Sequence, residues 1–401
     1  MSKFQKITQI INDLHLNNEY TFGNNEFGVP PGSPLTPSIN FSSAYAFNSI
    51  EALEEYHKNS NDFVRYARDT NGVARQCEEY LSATLSNQTC FVFNSGMSAI
   101  DASLAVLLPK RENVITFGVF YRKTQILIER YSKLYKIKHI HFETAEEMLS
   151  SVTSDLMNKS TVLIENFSNP FLTVLDIEPL KKQYPECIVL LDFSMQGLLN
   201  SNQHRFADIS VTSATKYIGG HNDFLAGAAF TSSNSLAEEI WSHRSSTGGI
   251  LDPMSSLLML RSFRTYDMRL ENQVRNAQKI LDNLSKNKLV KRIFYPFEYE
   301  NADQSSIKSK FNHGGAVMSF EVIKNVNLEK NISKLRSIKM APSFGSVDTL
   351  VEIPAYMSKR NDSDKPVKGL SSLIKSNRFM RLSIGCEPFE YLEYDLEILL
   401  S

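Results

Sequence analysis

A chain of 401 residues with 43 Lys and Arg against 44 Asp and Glu carries no charge excess to attract nucleic acid or an anionic membrane, and neither is an expected partner. It is long enough for two or three domains, and it has neither a run of 18 apolar residues nor an apolar signal core after Met1, which points to a cytoplasmic protein. Cys77, Cys90, Cys187 and Cys386 are scattered without ligand spacing, so neither a disulfide framework nor a metal site is expected.

Residues 1–60 read as an N-terminal arm. The run Val29-Pro30-Pro31-Gly32-Ser33-Pro34-Leu35-Thr36-Pro37 can be neither helix nor central strand, because proline removes donors and restricts its predecessor. Short helices are expected at 51–58 and 72–85. From 61 to 260, strands and helices alternate. Strands are expected at 89–94, 113–117, 137–142, 161–165, 187–192, 209–212 and 225–231, and helices at 97–108, 122–135 and 145–156. The strands are apolar throughout instead of alternating, as suits a mostly parallel sheet covered on both faces. This is the α/β pattern. A helical stretch over 253–289 then connects to a smaller C-terminal α+β domain, so that 261–401 holds connector and small domain. Strands are expected there at 315–322 and 378–383, and helices at 328–335 and 390–400.

The most informative segment is Ser213-Ala214-Thr215-Lys216-Tyr217-Ile218-Gly219-Gly220-His221-Asn222-Asp223. Lys216 follows an apolar strand and sits between hydroxyl residues and two glycines. That is a poor place for a solvated charge and a good one for a Schiff base with a carbonyl. Ser213 and Thr215 offer hydroxyls to a phosphate at the C-terminal strand ends, where open α/β sheets bind ligands. A second piece of the same cradle is Ser95-Gly96-Met97-Ser98, where a strand runs into a helix whose free N–H groups attract an anion. Asp192 ends the run Ile188-Val189-Leu190-Leu191 and can pair with a pyridinium nitrogen.

In this order the chain resembles the Cys/Met-metabolism family of pyridoxal-phosphate enzymes, which includes cystathionine γ-synthase, cystathionine γ-lyase and methionine γ-lyase. The matching pieces are Phe63-Val64-Arg65-Tyr66-Ala67-Arg68, Asn94 to Ile100, Glu165-Asn166-Phe167-Ser168-Asn169-Pro170, Asp176-Ile177, Asp192, Ser213 to Asp223, Ser343-Phe344-Gly345 with Asp348-Thr349-Leu350, and Arg381 to Glu387. The resemblance implies the aspartate-aminotransferase-like fold (fold type I) and pyridoxal 5'-phosphate as cofactor. It implies Lys216 as the Schiff-base lysine and proton shuttle, and Asp192 as the ring-nitrogen partner. Gly96, Met97, Ser213 and Thr215 become phosphate ligands. Tyr66 and Arg68 become a pair lent to a neighbouring subunit's phosphate, with Tyr66 also at the substrate. Tyr121 becomes the ring-stacking tyrosine and Asn169 the neighbour of the ring hydroxyl. Arg381 becomes the grip on the substrate carboxylate, assisted by Ser343. His221 and His313 read as structural residues.

The implied activity is elimination or replacement at Cβ or Cγ of a small sulfur-containing or O-acylated amino acid, by a homodimer or homotetramer with shared sites. An alternative is a specialised relative with a different leaving group or nucleophile. Four departures favour attention to the pocket edge. Asn71-Gly72-Val73 stands where Asn-Pro-Thr is usual, and Arg122 and Lys123 stand where two small residues are usual. Met357-Ser358-Lys359 replaces Met-Thr-His, and Phe193-Ser194-Met195 replaces Asn-Thr-Phe.

Overall fold

A computed structural model describes residues 36–58, 64–86, 88–296, 308–357 and 369–401. Most of the expected proline-rich arm therefore lies outside the described residues, as do Phe63 and the Ser358-Lys359 pair. Seven strands form the larger sheet: β1 (Thr89–Phe93), β2 (Asn113–Phe117), β3 (Lys138–Phe142), β4 (Ser160–Glu165), β5 (Ile188–Asp192), β6 (Ile209–Thr212) and β7 (Gly227–Thr231). Their order is β1-β7-β6-β5-β4-β2-β3. From β3 to β6 every pairing is parallel, and β7 runs antiparallel to both β6 and β1.

The unbroken apolar runs have a direct explanation. Val162, Ile164, Val189 and Leu191 enter one buried core, while Leu163 and Leu190 between them enter a second core across the sheet. The edge strand β3 is the exception and exposes Lys138 and His141.

The helices before the connector are α1 (Ile50–Lys58), α2 (Gly72–Thr84), α3 (Gly96–Leu107), α4 (Arg122–Tyr135), α5 (Ala145–Ser151), α6 (Ser154–Asn158), α7 (Ile177–Gln183) and α8 (Asn234–Thr247). The stretch expected as one helix over 145–156 divides because Val152 is extended and the Thr153 hydroxyl accepts the Leu156 N–H at 3.2 Å, starting α6 afresh.

The stretch expected over 253–289 also divides, into α9 (Pro253–Phe263) and α10 (Tyr266–Lys286). The Ser262 carbonyl accepts the Thr265 N–H at 3.2 Å, the Thr265 hydroxyl at 3.1 Å and an Arg269 N–H at 2.9 Å. Those bonds replace the ordinary i to i−4 ladder and turn the chain.

Beyond α10 a second sheet has the order β10-β11-β12-β9-β8. Its strands are β8 (Val290–Phe294), β9 (Val317–Val322), β10 (Lys339–Met340), β11 (Leu350–Glu352) and β12 (Phe379–Ser383), flanked by α11 (Leu328–Ile332), α12 (Pro354–Met357) and α13 (Phe389–Leu399). The architecture is the expected α/β class with a smaller C-terminal sheet. No described helix is long and apolar enough to cross a membrane.

The antiparallel β7 brings Gly227 against the end of β1. A Cβ at Gly227 would lie 2.3 Å from the Ser95 carbonyl oxygen and 2.7 Å from the Gly96 Cα, both of them backbone atoms that cannot swing aside. Gly227→Ala is expected to destabilise the chain by about 1–3 kcal/mol through overpacking, read as a lower thermal or denaturant midpoint.

Candidate active site

The first turn of α3 sets the anion end of the site. Ser95 is extended, and its hydroxyl accepts the Ser98 N–H at 3.1 Å, so the helix begins with the Gly96 and Met97 N–H groups pointing outward. A Cβ at Gly96 would sit 2.8 Å from the Ser213 Cβ and 3.0 Å from its hydroxyl oxygen. Glycine is what lets the Ser213 hydroxyl and the helix N-terminus share one cradle. The Ser213 N–H is held by the Ser194 hydroxyl at 2.7 Å. Thr215 is turned differently. Its hydroxyl accepts the Ala226 N–H at 2.8 Å and donates to the Ala226 carbonyl at 3.1 Å, which ties the β6 end to the start of β7.

Lys216 stands at the same strand end, half-buried in a turn over Thr215–Gly219. Its Nζ donates to the Ser343 hydroxyl at 2.9 Å and lies 5.0 Å from the centre of the Phe344 ring. Burial pulls its pKa down to about 8; nearby Arg381 pulls the same way and Glu352 opposes. Ser343 has φ of +104°, a conformation uncommon outside glycine, and from it the residue serves both neighbours. Its hydroxyl meets Lys216, and its carbonyl accepts an Arg381 N–H at 2.9 Å.

Arg381 is 5% exposed and lies on β12, between β11 and β9. One terminal nitrogen donates to the Asn169 Oδ1 at 2.8 Å, and the other meets the Ser343 carbonyl and the Glu352 carboxylate. Glu352 is its direct register partner on β11. Among the described residues the buried Arg381 Nε has no acceptor. A buried guanidinium with one unfilled N–H is an incomplete carboxylate site.

Asp192 and Glu165 are register partners at the ends of β5 and β4. Both residues are half-buried. Burial raises the Asp192 pKa, against the Ser194 N–H bond at 2.9 Å. Burial first and Asp192 second push Glu165 up to about 8. The Glu165 Oε1 accepts the Tyr121 N–H at 2.8 Å. Tyr121 directly precedes α4, is 45% exposed, and has its phenol pKa raised first by burial and then by Glu165. Glu165 and Glu352 are two site carboxyls to which sequence reasoning assigned no role. Glu165 opens one of the segments that match the family and ends an apolar strand, while Glu352 carries no local signal.

Tyr66 and Arg68 lie elsewhere. Arg68 covers the Tyr66 ring at 5.0 Å, and the segment is paired to the arm through the Tyr45 N–H to the Arg65 carbonyl at 3.1 Å and the Ala67 N–H to the Ser43 carbonyl at 2.9 Å. Among the described residues neither side chain is bonded to Gly96, Met97, Ser213 or Lys216. His221 behaves as a structural residue, with Nδ1 2.7 Å from the Gly219 carbonyl.

The structure thus gathers an anion cradle, a half-buried amine of lowered pKa, a half-buried carboxyl and an incomplete guanidinium site at the same strand ends. A glycine-opened phosphate cradle, an amine for a carbonyl and a carboxyl for a ring nitrogen are the donor set that pyridoxal phosphate needs, and the residues fit that cofactor.

Known proteins bear this out at the level of family. The profile of the Cys/Met metabolism PLP-dependent enzymes matches residues 31–401. The chain is 29% identical over 375 residues to cystathionine gamma-synthase 1, chloroplastic, of Nicotiana tabacum, covering 92% of this chain and 68% of that protein. It is 28% identical over 362 residues to a cystathionine beta-lyase of Lactococcus lactis subsp. cremoris, covering 88% of this chain and 91% of that protein. A crystal structure of cystathionine gamma-lyase from Lactobacillus plantarum complexed with L-serine has the same fold, with a TM-score of 0.81, 24% identity and coverage of 100% of this chain and 98% of that one. The chain therefore belongs to the Cys/Met metabolism family of pyridoxal-phosphate-dependent enzymes, with pyridoxal 5'-phosphate as its cofactor.

Proposed function

We propose that this chain catalyses β- or γ-elimination or replacement on a sulfur-containing or O-acylated amino acid. One observation carries the reading: Ser343 joins Lys216 to Arg381, through its hydroxyl at 2.9 Å and its carbonyl at 2.9 Å. An amino acid whose carboxylate meets the free Arg381 Nε–H would present its Cα toward the Lys216 amine.

Pyridoxal phosphate, when bound, supplies the electron sink that makes protons at Cα and Cβ removable. Gly96, Met97 and Ser213 are assigned to its phosphate, joined by Thr215 once the Thr215 hydroxyl turns from Ala226. Asp192 is assigned to the ring nitrogen, Tyr121 to the ring face and Asn169 to the ring-hydroxyl side. Lys216, with its pKa near 8, holds enough neutral amine near pH 7 to take a proton from Cα and return it along the side chain. Arg381 is assigned to the carboxylate through its unfilled Nε–H, with the Ser343 carbonyl steadying the guanidinium. The Tyr121 phenol, raised above its usual pKa, keeps its proton and can donate to a leaving group.

The alternative, a specialised relative with a non-standard leaving group or nucleophile, is favoured by Arg122 and Lys123. Both are exposed in the first turn of α4, directly after Tyr121. Two cations there oppose the helix dipole, a cost that an anionic substrate tail would offset. The division into a 1–60 arm, a 61–260 cofactor domain and a 261–401 connector and small domain is supported by the confinement of β1–β7 to the second span and β8–β12 to the third. A cytoplasmic location is supported by four free thiols, three of them buried.

A substrate panel tests the activity. Release of a 2-oxo acid, or condensation with a thiol, is expected from cystathionine or an O-acylated homoserine, with anionic and neutral acyl groups compared directly. Lys216→Ala should abolish both turnover and the visible band of bound cofactor. Turnover retained in that variant without added amine would refute the reading.

The lowered amine pKa has its own signature. The rate at which cofactor-free protein gains the visible band should rise with pH and level off above about 8. A rate still climbing toward pH 10 would assign the Lys216 amine an ordinary pKa.

For Tyr66 and Arg68 we propose a role in the neighbouring subunit of a dimer or tetramer. Arg68→Ala and Lys216→Ala, each inactive, should regain activity when dissociated and reassociated together, because a mixed dimer holds one complete site. An inactive Arg68→Ala that gains nothing on mixing would place the pair within its own subunit.

A further inference from the structure

We infer that Glu165 is a positioning residue that ties the cofactor-stacking side of the site to its carboxylate-binding side. The inference rests on the proposed roles of Tyr121, Asn169 and Arg381. Its Oε1 accepts the Tyr121 N–H at 2.8 Å, and the Asn169 backbone N–H bears on the same carboxyl electrostatically. Asn169 in turn accepts an Arg381 N–H through its side chain at 2.8 Å. One carboxyl at the end of β4 therefore holds the turn that presents Tyr121 and faces the loop that aims Arg381.

The geometry has few substitutes. Tyr121 has no side-chain hydrogen bond capping α4, so its backbone bond to Glu165 is what fixes the helix start to the sheet. Asp192 lies beside Glu165 in register, so the positioning carboxyl is also next to the group assigned to the ring nitrogen. Asp192, Tyr121 and the Asn169 N–H are the groups that bear on it. A cationic partner for Asp192 would remove the second cause of the raised Glu165 pKa and favour the ionised carboxyl, the form that both N–H groups favour. Filling the site and tightening its two walls are then linked.

The test uses the cofactor-loaded protein with Glu165→Ala and Glu165→Gln. Two readouts report the two walls. The visible circular dichroism of bound pyridoxal phosphate reports ring packing beside Tyr121. The spectral titration with L-serine, against L-serine methyl ester, reports the Arg381 grip. Glu165→Ala should lose at least half of the dichroism and weaken L-serine binding about tenfold or more, with a smaller loss for the ester, as expected for losing bonds to a charged acceptor. Glu165→Gln keeps one acceptor oxygen but loses the charge, so it should lose less than Glu165→Ala on both readouts.

A Glu165→Ala protein that is wild-type on both readouts overturns the inference, even when its melting point falls. Should Glu165→Ala fail to fold, Glu165→Gln decides, and wild-type values on both readouts overturn it. A wild-type chain that gains no Lys216-dependent band with pyridoxal phosphate overturns the proposed function together with this inference. Variants that match a wild type showing that band overturn the positioning role alone.

Discussion

Holding the Arg381 guanidinium out of water is the constraint on which the site depends. A buried charge is tolerated only when its hydrogens are satisfied and an opposite charge is near. Here the acceptors come from two places. Asn169 belongs to the loop after β4 of the large sheet, while Ser343 and Glu352 belong to the smaller C-terminal part. The guanidinium therefore joins the two sheets at the cleft. Removing one partner of such a pair typically costs about 3–5 kcal/mol, because the other charge is left buried. The position on β12, flanked by β11 and β9, denies the side chain an escape to solvent.

That arginine also shapes its neighbour. Lys216 and Arg381 both lie near the Phe344 ring, at 5.0 and 5.7 Å, with Glu352 the carboxylate that bears on both. Burial lowers the amine pKa first and Arg381 second, and the same buried guanidinium keeps its Nε–H for a carboxylate. Catalytic readiness and substrate recognition thus both trace to holding cations out of water.

Much of this was legible in the sequence, for identifiable reasons. The parallel sheet could be read because strands that feed two cores carry no polar alternation, as Val162-Leu163-Ile164 illustrates. The lysine, its flanking hydroxyls and the strand-terminal aspartate could be read because chemistry at a strand end needs those residue types in sequence. Glu165 stands in a segment that matches the family, but its role, like that of Glu352, depends on register with Asp192 or Arg381, which no local pattern encodes. The break between α9 and α10 was hidden for a similar reason: the Arg269 side chain that takes the Ser262 carbonyl lies a full turn beyond it. The two- and three-residue strands β10 and β11 are too short to leave a periodic signal. The turned Thr215 hydroxyl depends on Ala226, across the loop to β7.

The sheet order has a consequence for how the protein comes into being. Among the described strands β1 pairs with β7, Thr89 lying opposite Thr231, and its Phe93 also bridges to Ile250, so the strand that launches the anion cradle waits for partners made much later. On the ribosome β1 would emerge early, with α2 to pack against and the Glu78 carboxylate to take the Val92 N–H but without its strand partner. Strands β2 to β6 can assemble meanwhile by successive neighbouring additions. The closing step inserts β7 between β6 and β1, a contact of long sequence separation and so entropically slow. Until then Ser213 has no Gly96 to face. Maturation therefore has an order, in which the nascent polypeptide must complete its longest-range pairing before it can take up a phosphate, and a chaperone that shields β1 would act in that interval.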